Sequence, residues 1–151
     1  MKVVLQRVSR ASVAVDQRTV GSIGRGLCVL LGVEKGDTEE DARYLAKKIA
    51  EMRIFGDMND KMNLSLSDIG GEMLAVSQFT LAASLKKGRR PGFDNAELPG
   101  PARRLFEHFV RQIQEKGIHV ETGQFGTVME VALVNDGPVT FVMDSPNTKR
   151  P

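Results

Sequence analysis

Three short stretches hold residue types that could do chemistry. "VSQFTLAA" sets Ser77, Gln78 and Thr80 among apolar neighbours. Small hydroxyls and main-chain amides at the end of a strand can hold an oxyanion. A strand leaving the core with alternating faces would read the same way. "KKGRR" puts four cations, Lys86, Lys87, Arg89 and Arg90, into five residues. Such a run suits a phosphate-bearing ligand, and it is also what a solvated loop looks like. "NDGPVTF", Asn135 to Phe141, places Gly137–Pro138 between two strand-like runs. Asp-Gly alone would make a tight turn, whereas the proline that follows cannot donate to a strand ladder.

The usual catalytic side chains are missing. His108 and His119 are scattered, and with the single Cys28 they do not make zinc-ligand spacing. Cys28 lies inside the apolar run "GLCVLLGV" and reads as a buried, inert thiol. There is no GxGxxG, no P-loop and no G-x-S-x-G elbow. An ordinary triad esterase is therefore disfavoured. An enzyme with this inventory would rely on positioning and main-chain donors. Neither a metal nor a cofactor is expected.

These residues need a scaffold. At 151 residues the chain suits one domain, and 41% hydrophobic with 26% charged residues is ordinary for a globular protein. With 5% aromatics and no Trp, the core must be mostly Val, Leu, Ile, Met and Ala. A net charge of +2 is too mild to demand a nucleic-acid partner by itself. A lone cysteine fits a reducing compartment. No apolar run reaches the ~18 residues of a membrane span. The opening "MKVVLQRVSRASV" alternates and carries two arginines, so it does not read as a signal peptide. A cytosolic protein is expected.

Residues 2–15 read as a strand with Val3, Leu5, Ala11, Val13 and Val15 on one face. Arg7 falls on that apolar face. Either a bulge near Ser9 shifts the register, or Arg7 is held inward to bond something specific. A short strand and a Gly-rich turn lead to a buried strand, Leu27 to Val33. Thr38 and Asp41 signal the start of a helix with Ala42, Leu45, Ala46, Ile49 and Met52 inward. A buried strand is expected from Glu72 to about Leu81, then a long basic loop, then a helix from Pro101 to Gly117. Strands near His119–Glu121, Val128–Val134 and Val139–Met143 complete the chain, with Gly137–Pro138 as a turn between the last two. One domain over 1–145 and a flexible tail over 146–151 are expected. The elements give an α/β protein of α+β type, with largely antiparallel sheets and two main helices covering one face.

"SQFTL", "NDGPVTF" and the opening "MKVVLQRVSRASV", with "GRRPGF" and "GQFGTVM" between them, together resemble the D-aminoacyl-tRNA deacylase family from Met1 to about Asp144. The resemblance implies a three-layer β/β/α fold and a cytosolic homodimer acting on aminoacyl-tRNA, with no DNA or membrane partner. It implies hydrolysis of D-aminoacyl-tRNA, and of glycine misattached to alanine tRNA. It implies that Gly137 and Pro138, joined by a cis peptide, enter the partner's site as the chiral selector. Base rates alone would favour trans. It implies that Ser77, Gln78, Phe79 and Thr80 line that site, that Arg7 braces the Gly-Pro main chain, and that Phe125 and Met129 help to form a pocket for the terminal adenine. Lys86, Lys87, Arg89 and Arg90 would meet tRNA phosphates. Main-chain N–H groups near Phe79 and Thr80 would bind the oxyanion with help from the ribose 2′-hydroxyl. Thr80 as a nucleophile and a non-catalytic tRNA-binding module are the competing readings.

Overall fold

The structure, a computed structural model, describes residues 1–146. Of the expected tail, residues 147–151 lie outside the described residues. The elements run β1 (Lys2–Val15), β2 (Arg18–Ile23), β3 (Gly26–Gly32), α1 (Glu39–Glu51), β4 (Phe55–Gly56), β5 (Met62–Leu64), β6 (Glu72–Ser77), a 3-10 turn (Phe79–Ala82), α2 (Pro99–Gln114), β7 (Val120–Thr122) and β8 (Glu130–Asp144).

β1 organises the sheet. Its first half pairs antiparallel with β3, its second half with β2, and its other edge with β8 along nearly its whole length. β6 joins β3 in parallel, and β7 joins β6 in parallel. Antiparallel pairing predominates, as expected, but the parallel β3–β6–β7 segment had no clear signal in the sequence. Fully apolar strands such as "LCVLL" and "MLAV" suit that setting, because both of their faces are covered.

One face carries α1 and α2. There Val3, Leu5, Leu27, Val29, Leu31, Met73 and Ala75 pack against Leu45, Ala46, Ile49, Phe106, Phe109 and Ile113. On the opposite face Cys28, Leu74 and Val76 meet Val8, Ala11, Val13 and Ile23. The far half of β1 has therefore curled over with β2 to form a second β layer. Three layers, β/β/α, result. At the crossing of β2 and β7 the chains come close: a Cβ on Gly21 would lie 2.8 Å from the Thr122 carbonyl oxygen. Only glycine fits.

α1 begins as the sequence predicts, with the Asp41 carboxylate accepting the Thr38 N–H at 2.7 Å. β6 ends earlier than predicted. The strand expected to reach about Leu81 stops at Ser77. Gln78 N–H still donates to the Leu31 carbonyl at 2.8 Å, and the chain then turns, with Leu81 N–H on Gln78 O and Ala83 N–H on Thr80 O. An apolar run cannot distinguish strand from tight helical turn by periodicity over four residues.

The last two expected strands are one strand, β8. Both halves pair with β1 in the same direction, Asn135 opposite Val8 and Thr140 opposite Gln6. Asp136 to Val139 bulge outward opposite Arg7 instead of reversing the chain. The proline is tolerated because it stands in a bulge of an edge strand, where no ladder bond is required. Among the described residues no helix is long and apolar enough to cross a membrane.

Candidate functional site

β3 and β6 end side by side, and a cavity of about 580 Å³ opens where they stop. Leu31, Val33 and Val76 form its floor; Ser77, Gln78 and Phe79 form one wall. Pro99, Ala102 and Phe106 of α2 form the facing wall, with Phe125, Val128 and Met129 from the segment leading into β8. The lining is mostly apolar. Among the described residues no group of three or more His, Cys, Asp or Glu gathers to hold a metal ion.

The Ser77–Phe79 wall leads into the 3-10 turn. The 3-10 turn makes its first internal bond at Leu81 N–H. The N–H groups of Phe79 and Thr80 precede that bond, as the opening amides of any helical turn do. Gly32 makes the turn possible: a Cβ there would lie 2.8 Å from Gln78 O and 2.9 Å from Leu81 Cβ. Thr80 is exposed and does not line the cavity. Its hydroxyl accepts a hydrogen bond from Gln78 Nε2 at 2.5 Å. An amide N–H₂ cannot take a proton from a hydroxyl.

Five of the residues predicted for the site thus line one cavity: Ser77, Gln78, Phe79, Phe125 and Met129. Gly137 and Pro138 do not line the cavity of their own chain; they are exposed on the β8 bulge. Their peptide bond is cis. Arg7 reaches the base of that bulge. Its Nε donates to the Asp136 carbonyl at 2.9 Å and its Nη1 to the Ile54 carbonyl at 2.7 Å. Both readings of its placement hold. The side chain is only 17% exposed, and the β1–β8 register is irregular on each side of Val8.

The sequence reading overlooked Asn135. Its Oδ1 accepts the Val139 N–H at 3.0 Å, while its Nδ2 donates to the Val139 carbonyl at 2.9 Å and the Arg7 carbonyl at 3.2 Å. One side-chain amide thus stands in for a strand partner across the bulge. The signal was available: Asn carries a donor and an acceptor arranged like a peptide, and it precedes the Gly-Pro pair.

The basic loop is tied to the site at its base. Ser84 and Gly92 exchange main-chain hydrogen bonds of 2.8 and 2.9 Å, which closes the loop carrying Lys86, Lys87, Arg89 and Arg90. The Phe93 ring, just beyond, lies 5.1 Å from the Phe79 ring. The four cations themselves are exposed. Cys28 is buried on the far side of β3, and burial pushes its thiol up to about 11.

The chain is similar along its length to known proteins. The family model for D-Tyr-tRNA(Tyr) deacylase matches residues 4–144. A D-aminoacyl-tRNA deacylase of Pelobacter propionicus is 59% identical over 144 residues, covering 95% of this chain and 99% of the relative. One from Dehalococcoides mccartyi is 57% identical over 151 residues, covering 100% of this chain and 99% of the relative. Among solved structures, a c-Myc DNA unwinding element binding protein superposes with a TM-score of 0.91 at 39% identity, covering 97% of this chain and 99% of that one. A probable eukaryotic D-amino acid tRNA deacylase has the same fold, with a TM-score of 0.84 at 19% identity over 95% of this chain and 98% of that one. With the family model spanning nearly the whole chain and relatives this similar along their full length, the chain belongs to the D-Tyr-tRNA(Tyr) deacylase family.

Proposed function

We propose that this protein hydrolyses the ester of D-aminoacyl-tRNA, releasing the D-amino acid and free tRNA, and that it also clears glycine misattached to alanine tRNA. The observation that carries the reading is the main-chain turn that starts at Phe79, a residue lining an apolar cavity, in a chain belonging to this family. The ester is already activated by its α-ammonium group. Water attacks the carbonyl carbon, the N–H groups of Phe79 and Thr80 receive the developing negative charge, and the bond to the ribose oxygen breaks as that oxygen takes a proton. The ribose 2′-hydroxyl places the water. Ser77 and Gln78 shape the wall, and Phe125 and Met129 pack against the terminal adenine.

Thr80 acts by its main chain and not as a nucleophile. Its hydroxyl is paired with a neutral amide donor, and among the described residues no basic side chain is hydrogen-bonded to it. The protein works as a cytosolic homodimer, in which Gly137–Pro138 of one copy closes the cavity of the other. Three observations support this assignment. The pair is exposed, it stands away from its own cavity, and it lies on an edge strand that presents Val131, Val134 and Val142 to solvent. A main-chain wall near the α-carbon excludes an L side chain by contact and passes glycine, which has no Cβ. Arg7 and Asn135 hold that wall, and Lys86, Lys87, Arg89 and Arg90 meet the tRNA backbone.

The test is hydrolysis of matched substrates. D-Tyr-tRNA and Gly-tRNA are expected to be cleaved while L-Tyr-tRNA persists. Equal rates for the two Tyr enantiomers would overturn the chiral reading. Binding of D-Tyr-tRNA without turnover would favour the non-catalytic module.

A further inference from the structure

Among the described residues lining the cavity, one has an ionisable side chain: Glu97. It is half-buried, immediately before α2. Its main chain is fixed to the end of β3, because Glu97 N–H donates to the Val33 carbonyl at 3.1 Å. One carboxylate oxygen, Oε1, accepts the Leu98 N–H at 2.7 Å. The other, Oε2, has no hydrogen-bond partner among the described residues. That local bond to the next residue accounts for Oε1 but leaves Oε2 unexplained.

The surroundings narrow what Oε2 could bind. Glu97 lines the same cavity as Pro99, Ala102 and Phe106 of α2 and as Ser77, Gln78 and Phe79. The Phe106 and Phe125 rings lie 6.3 Å apart. The two rings are tilted by 49° to each other; the face of either one suits stacking with a nucleobase, and a carboxylate beside it can only accept hydrogen bonds. Carboxylates accept from exocyclic base amines in the same way as they do from the amine of cytosine.

We propose that Glu97 reads the exocyclic amine of the 3′-terminal adenine through Oε2, and so selects a base with an amine at that position over one with a carbonyl. The proposal rests on the terminal adenosine entering this cavity, as in the function proposed above. A carbonyl oxygen in place of the amine would set two acceptors face to face with no proton between them. Glutamine carries both a donor and an acceptor, so Glu97→Gln should accept either base.

The experiment uses non-hydrolysable 3′-amide analogues of D-tyrosyl-adenosine and D-tyrosyl-inosine, titrated calorimetrically into the full chain. The wild type is expected to favour the adenosine analogue about tenfold, the scale of one good base contact. Glu97→Gln and Glu97→Ala should each bring the ratio close to one. A ratio within one protein is insensitive to partial loss of folded material. An unchanged ratio in both variants overturns the proposal. So does a Glu97→Gln effect that is equal for the two bases and disappears with 2′-deoxy analogues, since the carboxylate would then serve the ribose. The same preparations are assayed on D-Tyr-tRNA. Turnover with an unchanged ratio removes only the Glu97 role, whereas absence of turnover removes the deacylase reading itself.

Discussion

The Asn135 side chain bonds both main-chain polar groups of Val139, accepting its N–H at 3.0 Å and donating to its carbonyl at 2.9 Å. The segment between them is Asp136, Gly137 and Pro138. The bulge is thereby held at its two ends by one side chain, and a third bond ties that side chain to the Arg7 carbonyl. Asn135→Ala removes three hydrogen bonds in a partly solvated place, where water can replace some of them. A stability loss of about 1–2 kcal/mol is expected, read as a lower urea midpoint. The larger effect should be on selectivity, with the ratio of D-Tyr-tRNA to L-Tyr-tRNA hydrolysis falling at least tenfold. Full retention of that ratio would show that the bulge keeps its shape without Asn135.

Arg7 supports the same bulge from below, by two hydrogen bonds to carbonyls of different segments, Asp136 and Ile54. The planar guanidinium donates in two fixed directions, which an ammonium on a flexible stem does not reproduce. Arg7→Lys is therefore expected to resemble Arg7→Ala, with at least a tenfold drop in kcat for D-Tyr-tRNA. Rescue by lysine in a kinetic assay would mean that charge alone matters.

Thr80→Ala separates the two mechanisms. A main-chain oxyanion site keeps its N–H groups when the hydroxyl is removed, so single-turnover hydrolysis should stay within about threefold of wild type. A nucleophile would lose on the order of a thousandfold or more. The variant also frees Gln78 Nε2, the group bonded to the hydroxyl, which could account for a small change.

Gly32→Ala tests the seat of the site. The new Cβ would press on Gln78 O at 2.8 Å and on Leu81 Cβ at 2.9 Å, and the first of these is main chain that cannot swing aside. About 2 kcal/mol of destabilisation is expected, typical of overpacking. Activity should fall further than folded content does, because the displaced atoms belong to the turn that offers the N–H groups. Circular dichroism beside kinetics distinguishes the two.

Cys28 should be silent in catalysis and visible in alkaline stability. Burial raises its thiol from 9.0 to about 11. The folded chain keeps the proton after the unfolded chain has lost it, so the unfolded state binds fewer protons in that window. Stability from this group is complete below pH 9, declines as pH rises from 9, and is fully lost above about 11. Cys28→Ala should flatten the alkaline limb of a urea-midpoint profile. In the native protein at neutral pH, iodoacetamide should neither label Cys28 nor inhibit hydrolysis.

Local signals in the sequence located most elements. The Thr38–Asp41 capping box placed the start of α1, because both groups lie within one turn of each other. Alternation placed β1, and the apolar stripe placed the inner face of α2. The errors fell where local pattern carries no information. Whether Phe79–Ala82 continues a strand or tightens into a turn depends on Gly32 in the neighbouring strand. Whether Gly137–Pro138 reverses the chain or bulges from it depends on which strand lies alongside, and β1 takes both halves of β8.

The site divides in the same way. Residue types alone lead to the expectation that no histidine–cysteine pair or zinc site of usual spacing is present, and that an enzyme with this inventory would rely on main-chain donors. Ser77 and Gln78 stand out by residue type, and Phe79, Phe125 and Met129 follow from the family resemblance. Their meeting around one cavity was decided by the tertiary structure, since contacts between residues about fifty positions apart arise only when β3, β6 and α2 pack together. Packing also gave Asn135 and Glu97 their places. An asparagine before Gly-Pro and a glutamate before a helix look ordinary in sequence. Only the folded chain sets one side chain across a bulge and the other on the wall of an apolar cavity, because both placements depend on segments far apart in sequence.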